Sequence, residues 1–448
     1  MKIARYLLLL LFTHAALAQN PGEERALAWV RAFNSGSAEQ LEAFAQASYT
    51  AEVLARRDAA GRRALFEPMQ QRHGKLTVES VAAENDELRL KVKPERGPAL
   101  SLTFRIEPAA PHRISSLAID IGGPAEDRGP ALPPLDLTKG IAALDDYIRK
   151  LDDFSGTVLV AKDGEVQFEK AYGLANRAKN IANKTSTRFN LGSITKDFTR
   201  TAIAQLAQAG KLKVDAPIST YLPNYPNKEI AQKVTVQQLV DHTSGLGDVF
   251  TDRFWKNKPE VMETPQHFID FFAADPLKFE PGKGQAYSNY GYVVLGAIIE
   301  AVSGQSYFDY IQKNVFARAG LAGSGFFNVR KLPADTALGY TMRGAGSEPR
   351  DNSDTRPSVR GIPAGGSYSP ARDLLLFDRA LRGKKLLNDE WTRWWFHGDA
   401  NGEVTWAGGS PGVNAALSSN PVWTVVVLTN QDPPRAEKLA PKILQSLR

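Results

Sequence analysis

The sequence contains no cysteine and only six histidines among its 448 residues. Without cysteine, disulfide bonds and lipid attachment through a cysteine are excluded. The histidines beyond residue 18 are isolated from one another, with no pair at the helical spacing of metal ligands. They are His73, His112, His242, His267 and His397. We interpret them as structural or surface residues and predict no metal site and no cofactor.

The sequence also lacks a run of charges of one sign. Its formal net charge is +6, but the positive residues are scattered among acidic ones, without a basic run or interleaved aromatics. This distribution argues against a nucleic-acid partner. Hydrophobic residues make up 43% and charged residues 23% of the chain, so the composition is that of an ordinary globular protein.

The apolar run at residues 7–12 is too short to cross a bilayer. It follows Lys2 and Arg5 and precedes the small-residue pattern Ala16-Leu17-Ala18, which is typical of a cleavage site. We therefore expect residues 1–18 to be a signal peptide. The mature protein is expected to be soluble, without a membrane span, and periplasmic if the source is Gram-negative. An uncleaved N-terminal anchor is the alternative.

The remaining length suits two domains. Residues 20–119 begin with helical patterns and continue with four alternating, strand-like segments, which predicts a small α+β domain. This order of elements resembles that of the nuclear-transport-factor-2-like superfamily. The domain carries no catalytic constellation, so we interpret it as a packing, dimerisation or ligand-docking module. A Pro- and Gly-rich linker is expected at residues 120–136.

Residues 137–448 predict a second, larger domain. A helix at 140–151 and a hairpin at 156–172 open it, with Asp163-Gly164 as the turn. Strand patterns at 404–408, 413–418 and 422–429 and a helix at 435–447 close it. The region between is mostly helical. Strands from both ends should meet in one antiparallel sheet, with a helical region inserted between them.

Ser193-Ile194-Thr195-Lys196 is the only S-x-x-K in the chain, and it begins a largely apolar helix predicted to run to residue 209. Residues three apart lie side by side on a helix, so Lys196 is within reach of the Ser193 hydroxyl. A serine hydroxyl becomes an effective nucleophile when a neighbouring base removes its proton. Burial lowers the pKa of a lysine and would prepare Lys196 for that task. The alternative is a helix-capping serine beside a surface lysine.

Two later segments favour catalysis. Tyr287-Ser288-Asn289 precedes an apolar helix. The phenol of Tyr287 could share the serine proton, and the side-chain amide of Asn289 could orient a lysine or a substrate. Near the C-terminus, Trp406-Ala407-Gly408-Gly409 forms a glycine-rich strand edge that a substrate could approach closely.

S-x-x-K, Y-x-N and a third strand motif, in this chain order, resemble the signature of the penicillin-recognising serine hydrolases. That family comprises class C β-lactamases, DD-peptidases and related carboxylesterases. The stretches at 239–246, 281–282 and 363–366 are similar to it as well. The resemblance covers about residues 137–448 and implies a β-lactamase/transpeptidase-like fold, an α/β (α+β) domain whose antiparallel sheet is flanked by helices beside a mostly helical subdomain.

The resemblance also implies roles for individual residues. Ser193 would be the acyl-enzyme nucleophile and Lys196 its base partner, and Tyr287 would relay the proton. Asn289 would position Lys196 and the substrate. The backbone N–H groups of Ser193 and Gly409 would form the oxyanion hole.

The third motif departs from the family pattern. The β-lactamases and peptidases have lysine at its first position, whereas this chain has Trp406, followed by Ala407 and Gly408. A tryptophan cannot bind a substrate carboxylate by charge, which would cost about 1.5–3 kcal/mol of recognition unless a nearby arginine substitutes. The W-x-G variant looks like the carboxylesterase branch. It favours Trp406, Gly408 and Gly409 as a substrate-binding edge for neutral esters, amides or lactones.

A second serine, Ser410, lies in a G-x-S-x-G match at residues 408–412. In the nucleophile elbow of α/β-hydrolases the residue after the serine donates its backbone N–H to the oxyanion. Here that residue is Pro411, which has no N–H, and the following segment reads as a strand. We therefore favour Ser193 over Ser410 as the nucleophile.

Three functions remain open. The leading prediction is an esterase-type hydrolase using Ser193, Lys196 and Tyr287 on a small-molecule or peptide-like acyl substrate. The second is a β-lactamase or DD-peptidase, favoured by export and disfavoured by Trp406. The third is a binding protein that keeps the fold without turnover. The oligomeric state is left open.

Overall fold

The computed structural model describes residues 21–447 except 56–58, 60–61, 64–65, 67–68, 71–72, 85–86, 97–99, 121–131, 139, 152, 258–261, 343–348, 353–357 and 399–401. The predicted signal peptide and most of the predicted linker lie outside the described residues. The chain divides into two compact units, Met1–Ala131 and Leu132–Arg448. No helix in the described part of the chain is both long and apolar enough to span a bilayer.

The first unit combines helices with a four-stranded sheet. In the part of this unit that the structure describes without gaps, its helices are α1 (Pro21–Asn34), α2 (Ala38–Ser48) and α3 (Ala51–Ala55). Its strands are β1 (Leu76–Glu84), β2 (Glu87–Pro94), β3 (Leu100–Ile106) and β4 (Ile114–Asp120), antiparallel in the order β1-β2-β3-β4.

The core of the first unit follows from two periodicities. Ala26, Trp29 and Phe33 recur at helical spacing and form the buried face of α1. On β3, Leu100, Leu102 and Phe104 alternate along one face of the sheet, and all three are buried. These residues belong to one apolar cluster.

A cleft of about 320 Å³ opens beside this core. Its wall is mainly apolar, and its charged side chains include Glu42 and Arg62. Arg62 donates through Nε to Glu42 Oε2 at 2.8 Å and through Nη2 to Glu42 Oε1 at 2.5 Å. The two charges are therefore joined in a bidentate ion pair.

The second unit is built on a five-stranded antiparallel sheet whose strands are, in spatial order, β13 (Val404–Ser410), β14 (Val413–Ser419), β15 (Trp423–Thr429), β5 (Gly156–Lys162) and β6 (Glu165–Tyr172). Strands from the start of the unit pair with strands from its end, which confirms the predicted sheet. The other described strands of this unit form two-stranded sheets and are β7 (Leu174–Asn176), β8 (Ile181–Ala182), β9 (Phe189–Asn190), β10 (Tyr340–Thr341), β11 (Arg350–Asp351) and β12 (Tyr368–Ser369).

Helices cover both faces of this sheet. In the part of the second unit that the structure describes, the α-helices are α4 (Ala143–Arg149), α5 (Thr195–Gln208), α6 (Ile218–Tyr221), α7 (Lys228–Lys233), α8 (Val236–Val240), α9 (Asp252–Asn257), α10 (Pro265–Phe272), α11 (Asn289–Ser303), α12 (Tyr307–Tyr310), α13 (Ala317–Ala319), α14 (Ala371–Arg382), α15 (Asp389–Trp395) and α16 (Arg435–Ser446), and a π-helical segment, Ile311–Phe316, lies between α12 and α13. On one face, α16 buries Leu439, Ile443 and Leu444 against β-strand residues such as Val427. The other face packs against the larger apolar cluster that includes the helical region between β6 and β13.

Two helices bring the candidate catalytic residues to this sheet. A short 3₁₀ turn at Gly192–Ile194 leads into α5, whose residues Phe198, Ala202 and Leu206 are buried. Ser193 thus lies in a tight turn just before the α-helix, where the sequence indicated the first helical turn. The second helix, α11, packs against α5 and starts at Asn289 with Ser288 as its N-cap.

Candidate active site

Ser193 is presented by a constrained turn. Gly192 has a φ of 51°, a left-handed conformation that glycine adopts without steric cost. Its amide donates to Asn190 Oδ1 at 2.9 Å, and the Leu191 amide donates to the Ser367 carbonyl at 2.8 Å. The turn is therefore fixed immediately before the serine.

Lys196 lies one turn further along the chain and is buried, with 6% of its surface exposed. Its Nζ atom is 3.2 Å from Ser193 Oγ, 2.7 Å from Asn289 Oδ1 and 2.5 Å from the Ala364 carbonyl oxygen. The structure thus brings the lysine to the serine hydroxyl. The Ala364 carbonyl comes from the 363–366 stretch noted in the sequence.

Burial lowers the pKa of Lys196 to about 7, although the negative charges of Asp248 and Asp197 oppose the shift. Desolvation lowers this pKa because burial costs the charged ammonium more hydration free energy than it costs the neutral amine. Burial also raises the pKa of the neighbouring Asp197 to about 7. A substantial fraction of Lys196 is therefore an uncharged amine near neutral pH.

The hydroxyl of Tyr287 donates to Ser193 Oγ at 2.7 Å. Its side chain is 51% exposed, so the ring forms part of an open surface while its oxygen reaches the serine. Desolvation raises the pKa of Tyr287 to about 12. The phenol is therefore protonated at neutral pH and is a proton donor.

Asn289 is oriented by a residue that the sequence analysis missed. Its Nδ2 donates to both carboxylate oxygens of Asp248, at 3.1 and 2.9 Å, and its backbone amide donates to Asp248 Oδ2 at 3.2 Å. These bonds direct the amide oxygen toward Lys196. Asp248 closely follows the 239–246 stretch, which was the available signal for it.

Strand β13 passes directly over the turn that carries Ser193. A Cβ atom on Gly408 would lie 2.0 Å from the Leu191 carbonyl oxygen and 2.6 Å from the Ser193 nitrogen. A Cβ atom on Gly192 would lie 2.9 Å from the Gly409 nitrogen. This approach requires glycine and places the backbone nitrogens of Ser193 and Gly409 at one junction, where they can face a developing negative charge.

The sequence assigned Trp406 to a substrate-binding edge, but in the structure its side chain is buried away from the cleft. Its side chain is 8% exposed and packs with ring centroids 5.7 Å from Phe377 and 5.1 Å from Trp395. Residues of a strand alternate between its faces, and Trp406 shares the buried face with Gly408, whereas Gly409 is exposed. Of these three residues only Gly409 lines the cleft beside Ser193. Trp406 packs in the apolar core, and Gly408 packs against the turn that carries Ser193.

Ser410 also lines that cleft. It ends β13, and a tight turn through Gly412 leads into strand β14 rather than into a helix. The strand–turn–helix context of a nucleophile elbow is therefore absent at Ser410.

The cleft has a volume of about 580 Å³ and a mainly apolar wall. Among the residues that the structure describes, none of those lining it is charged. Phe250 and Trp255 stack at 6.2 Å on its rim and are 47% and 37% exposed. The described aromatic side chains that are prominently exposed, these two and Tyr287, all line this one cleft.

His242, interpreted from the sequence as structural or surface, contacts the site directly. Its ring centroid lies 4.6 Å from that of Tyr287. Isolation from other histidines argues against a metal site, but it carries no information about stacking on an aromatic ring. Within the described ranges, no group of acidic or histidine side chains is arranged to hold a metal ion.

A family model described as Beta-lactamase matches residues 144–448. The chain is 33% identical over 251 residues to a putative penicillin-binding protein, PbpX, of Bacillus subtilis (strain 168), a match that covers 55% of this chain and 59% of the relative. The chain thus spans about three-fifths of the length of that curated relative.

Two solved structures share the fold. A penicillin-binding protein from Bacillus halodurans is 35% identical with a TM-score of 0.60, over 66% of this chain and 97% of that one. A D-amino acid amidase from Ochrobactrum anthropi is 22% identical with a TM-score of 0.57, over 68% of this chain and 96% of that one. The second likeness concerns the fold alone. Since the family model covers more than half of the chain, the protein belongs to the beta-lactamase family and has its β-lactamase/transpeptidase-like fold.

Proposed function

We propose that the protein is an exported serine hydrolase that acts through an acyl-enzyme on Ser193 and cleaves small uncharged esters, amides or lactones. One observation carries the proposal. The Ser193 hydroxyl is hydrogen-bonded to Tyr287 and lies 3.2 Å from a buried lysine whose pKa is about 7. A serine with a neutral base on one side and a proton donor on the other is equipped for nucleophilic attack.

The hydrogen bonds favour a neutral Lys196 as the base. A neutral amine has two N–H donors and one lone pair. The donors match Asn289 Oδ1 and the Ala364 carbonyl, which leaves the lone pair for the serine proton. Tyr287 already donates to Ser193 Oγ, so the serine proton is directed toward Lys196.

Acylation then proceeds with a balanced transfer of protons. Ser193 Oγ bonds to the acyl carbon as its proton passes to Lys196 Nζ. Collapse of the tetrahedral intermediate breaks the bond to the leaving group, which takes the proton of Tyr287, and Lys196 restores that proton. In deacylation Lys196 accepts the proton of Tyr287, and the Tyr287 oxygen takes a proton from a water molecule as the water oxygen bonds to the acyl carbon. Collapse of this second intermediate breaks the bond to Ser193 Oγ, which takes the proton back from Lys196, and the acid is released.

The negative charge of the tetrahedral intermediate would be stabilised by the backbone N–H groups of Ser193 and Gly409. Their nitrogens are held at the junction of β13 and the serine turn by the contact between Gly192 and Gly408. Fixed donors of this kind lower the barrier because they need no reorganisation as charge develops.

The apolar lining favours uncharged substrates. The described wall of the cleft offers no charged side chain to a substrate carboxylate, and Trp406 is packed in the core. Covering exposed apolar rings such as Phe250 and Trp255 with an apolar substrate group removes them from water and favours binding. An ester or amide with a hydrocarbon or aromatic group fits this wall.

A β-lactamase or DD-peptidase activity is the second candidate. It is supported by the names of the relatives, which include penicillin-binding proteins. The uncharged lining disfavours it, since β-lactams carry a carboxylate.

A substrate panel separates these functions. Wild type, Ser193→Ala and Ser410→Ala would be assayed on p-nitrophenyl acetate and butyrate, D-amino-acid amides and nitrocefin. We expect the esters to be turned over, with Ser193→Ala losing roughly 10⁴-fold or more and Ser410→Ala retaining turnover. Rapid nitrocefin hydrolysis, or stable labelling by a fluorescent penicillin, would favour the second candidate. Loss of turnover in Ser410→Ala alone would refute the assignment of Ser193, and an inert wild type that no phosphonate probe labels would indicate a binding protein.

A further inference from the structure

His242 holds the segment that carries Tyr287 on both sides. The Ala286 amide donates to the His242 carbonyl oxygen at 3.0 Å, and the Ser288 amide donates to His242 Nδ1 at 3.2 Å. These two amides flank Tyr287 in the chain. The backbone before and after the tyrosine is therefore bound to a single residue.

The imidazole also contacts the tyrosine ring. The centroids of His242 and Tyr287 lie 4.6 Å apart with an interplanar angle of 31°. On a second contact, the His242 ring is 5.2 Å from Tyr292 at 34°, and the Tyr292 hydroxyl is fixed by donating to the Val240 carbonyl at 3.0 Å. His242 thus links a half-exposed ring to a buried and anchored one.

We propose that His242 is a positioning residue, which holds the Tyr287 hydroxyl at Ser193 through its ring, its Nδ1 atom and its backbone carbonyl. The inference rests on the proposed function, in which Tyr287 transfers a proton. Because Nδ1 accepts the Ser288 amide, the imidazole carries its proton on Nε2 and is neutral. Burial and the charge of Lys196 lower the pKa of His242 to about 4, in agreement with this state.

The backbone of His242 limits which substitutions test the proposal cleanly. Its φ is 60°, a left-handed conformation in which asparagine is well tolerated. His242→Asn therefore removes the ring with little backbone strain. His242→Phe keeps an aromatic ring but removes the atom that accepts the Ser288 amide, and it provides a second, independent variant.

The decisive experiment is a double-mutant cycle with Tyr287→Phe. We expect His242→Asn to lower kcat roughly 10- to 100-fold with little change in KM, because a small misplacement of a catalytic group has effects of this size. In the Tyr287→Phe background the same change should cost less than roughly twofold, since residues that act through one another are not additive. Equal losses in both backgrounds, or no loss in the wild-type background, would overturn the proposal. Circular dichroism and thermal melting identify a variant that fails to fold.

A second measurement needs no turnover. With tyrosine labelled at Cζ with carbon-13, the Tyr287 resonance is assigned by its absence in Tyr287→Phe. We expect this resonance to shift in His242→Asn and His242→Phe, whereas that of Tyr147 in the second unit stays in place. An unchanged Tyr287 resonance in both variants would refute positioning. If Tyr287→Phe retained full turnover, the proposed chemistry would fail, and the resonance would still decide whether His242 positions the ring.

Discussion

Each of the two units has a cleft with a cationic side chain in or beneath its wall, but the protein surrounds the two cations differently. In the first unit Arg62 is bonded twice to Glu42, and this contact lowers the pKa of the Glu42 carboxyl. In the second unit the nearest partners of Lys196 are neutral: an amide oxygen, a carbonyl and a hydroxyl. Hydrogen bonds to neutral acceptors compensate the lost hydration of an ammonium less than an adjacent carboxylate does.

The difference separates a structural charge from a reactive one. A bidentate ion pair stabilises both partners in their charged states. A buried amine among neutral acceptors has a lowered pKa and loses its proton more readily. The negative charges of Asp248 and Asp197 attract the ammonium of Lys196 and so reduce the lowering of its pKa. The chemistry is therefore expected where the charge is least compensated.

Exchanging the two cation types is the strongest way to test this comparison. Lys196→Arg should lower kcat/KM roughly 10³-fold or more, because a guanidinium stays protonated and cannot accept the serine proton. The matched control is Arg62→Lys, in which the cation remains beside Glu42 and kcat/KM should remain at the wild-type value. Substantial turnover in Lys196→Arg would show that a neutral lysine is not the base.

A smaller loss is expected from Gly408→Ala, which tests the backbone beside the reactive lysine. The new Cβ atom would meet the Leu191 carbonyl at 2.0 Å, so β13 must move away from Ser193. We expect kcat to fall roughly 10²- to 10³-fold, as when an oxyanion donor is lost. Gly247→Ala is the control, since its Cβ atom would meet nothing within 4 Å. Equal kcat values for the two variants would contradict an oxyanion role for this junction.

The smallest expected effect is a change in the pH dependence of kcat/KM when a negative charge near Lys196 is removed. For wild type, kcat/KM should rise as pH increases through about 7, because only the deprotonated amine can accept a proton. Removing a nearby negative charge disfavours the ammonium, so Asp248→Asn and Asp197→Asn should both move this rise to lower pH.

The two aspartate variants should differ in their plateau at high pH. Asp248 also orients Asn289, so its variant should lose roughly 10-fold or more of the plateau. Asp197→Asn should keep the plateau. A pH profile that did not move in either variant would argue against Lys196 as the titrating group.

The sequence was sufficient to predict the sheet and the fold. Alternation in the hairpin and in the C-terminal strands is local information, and the motif order gave the family. The motifs also pointed to Ser193, Lys196, Tyr287 and Asn289, which form a continuous chain of hydrogen bonds in the structure, from Tyr287 through Ser193 and Lys196 to Asn289.

What the sequence did not reveal depends on contacts between distant segments. No spacing rule ties Asp248 and His242 to residues 287–289, because the segment between them includes α9 and α10 and their proximity depends on tertiary packing. The sequence placed Trp406 at a substrate edge, whereas the structure buries its side chain, for a related reason. Alternation along β13 shows that Trp406 and Gly408 share a face, but the packing of the strand on the serine turn decides which face meets the cleft.

The stacked pair Phe250 and Trp255 lies outside the segments that carry Ser193, Lys196, Tyr287 and Gly409, at and beside the short helix α9. The part of the wall that a substrate side chain would touch is thus encoded separately from the part that reacts. For protein engineering this makes positions 250 and 255 suitable for saturation libraries, while positions 192 and 408 should be kept as glycine. A library of that design would vary selectivity and leave the acylation step intact.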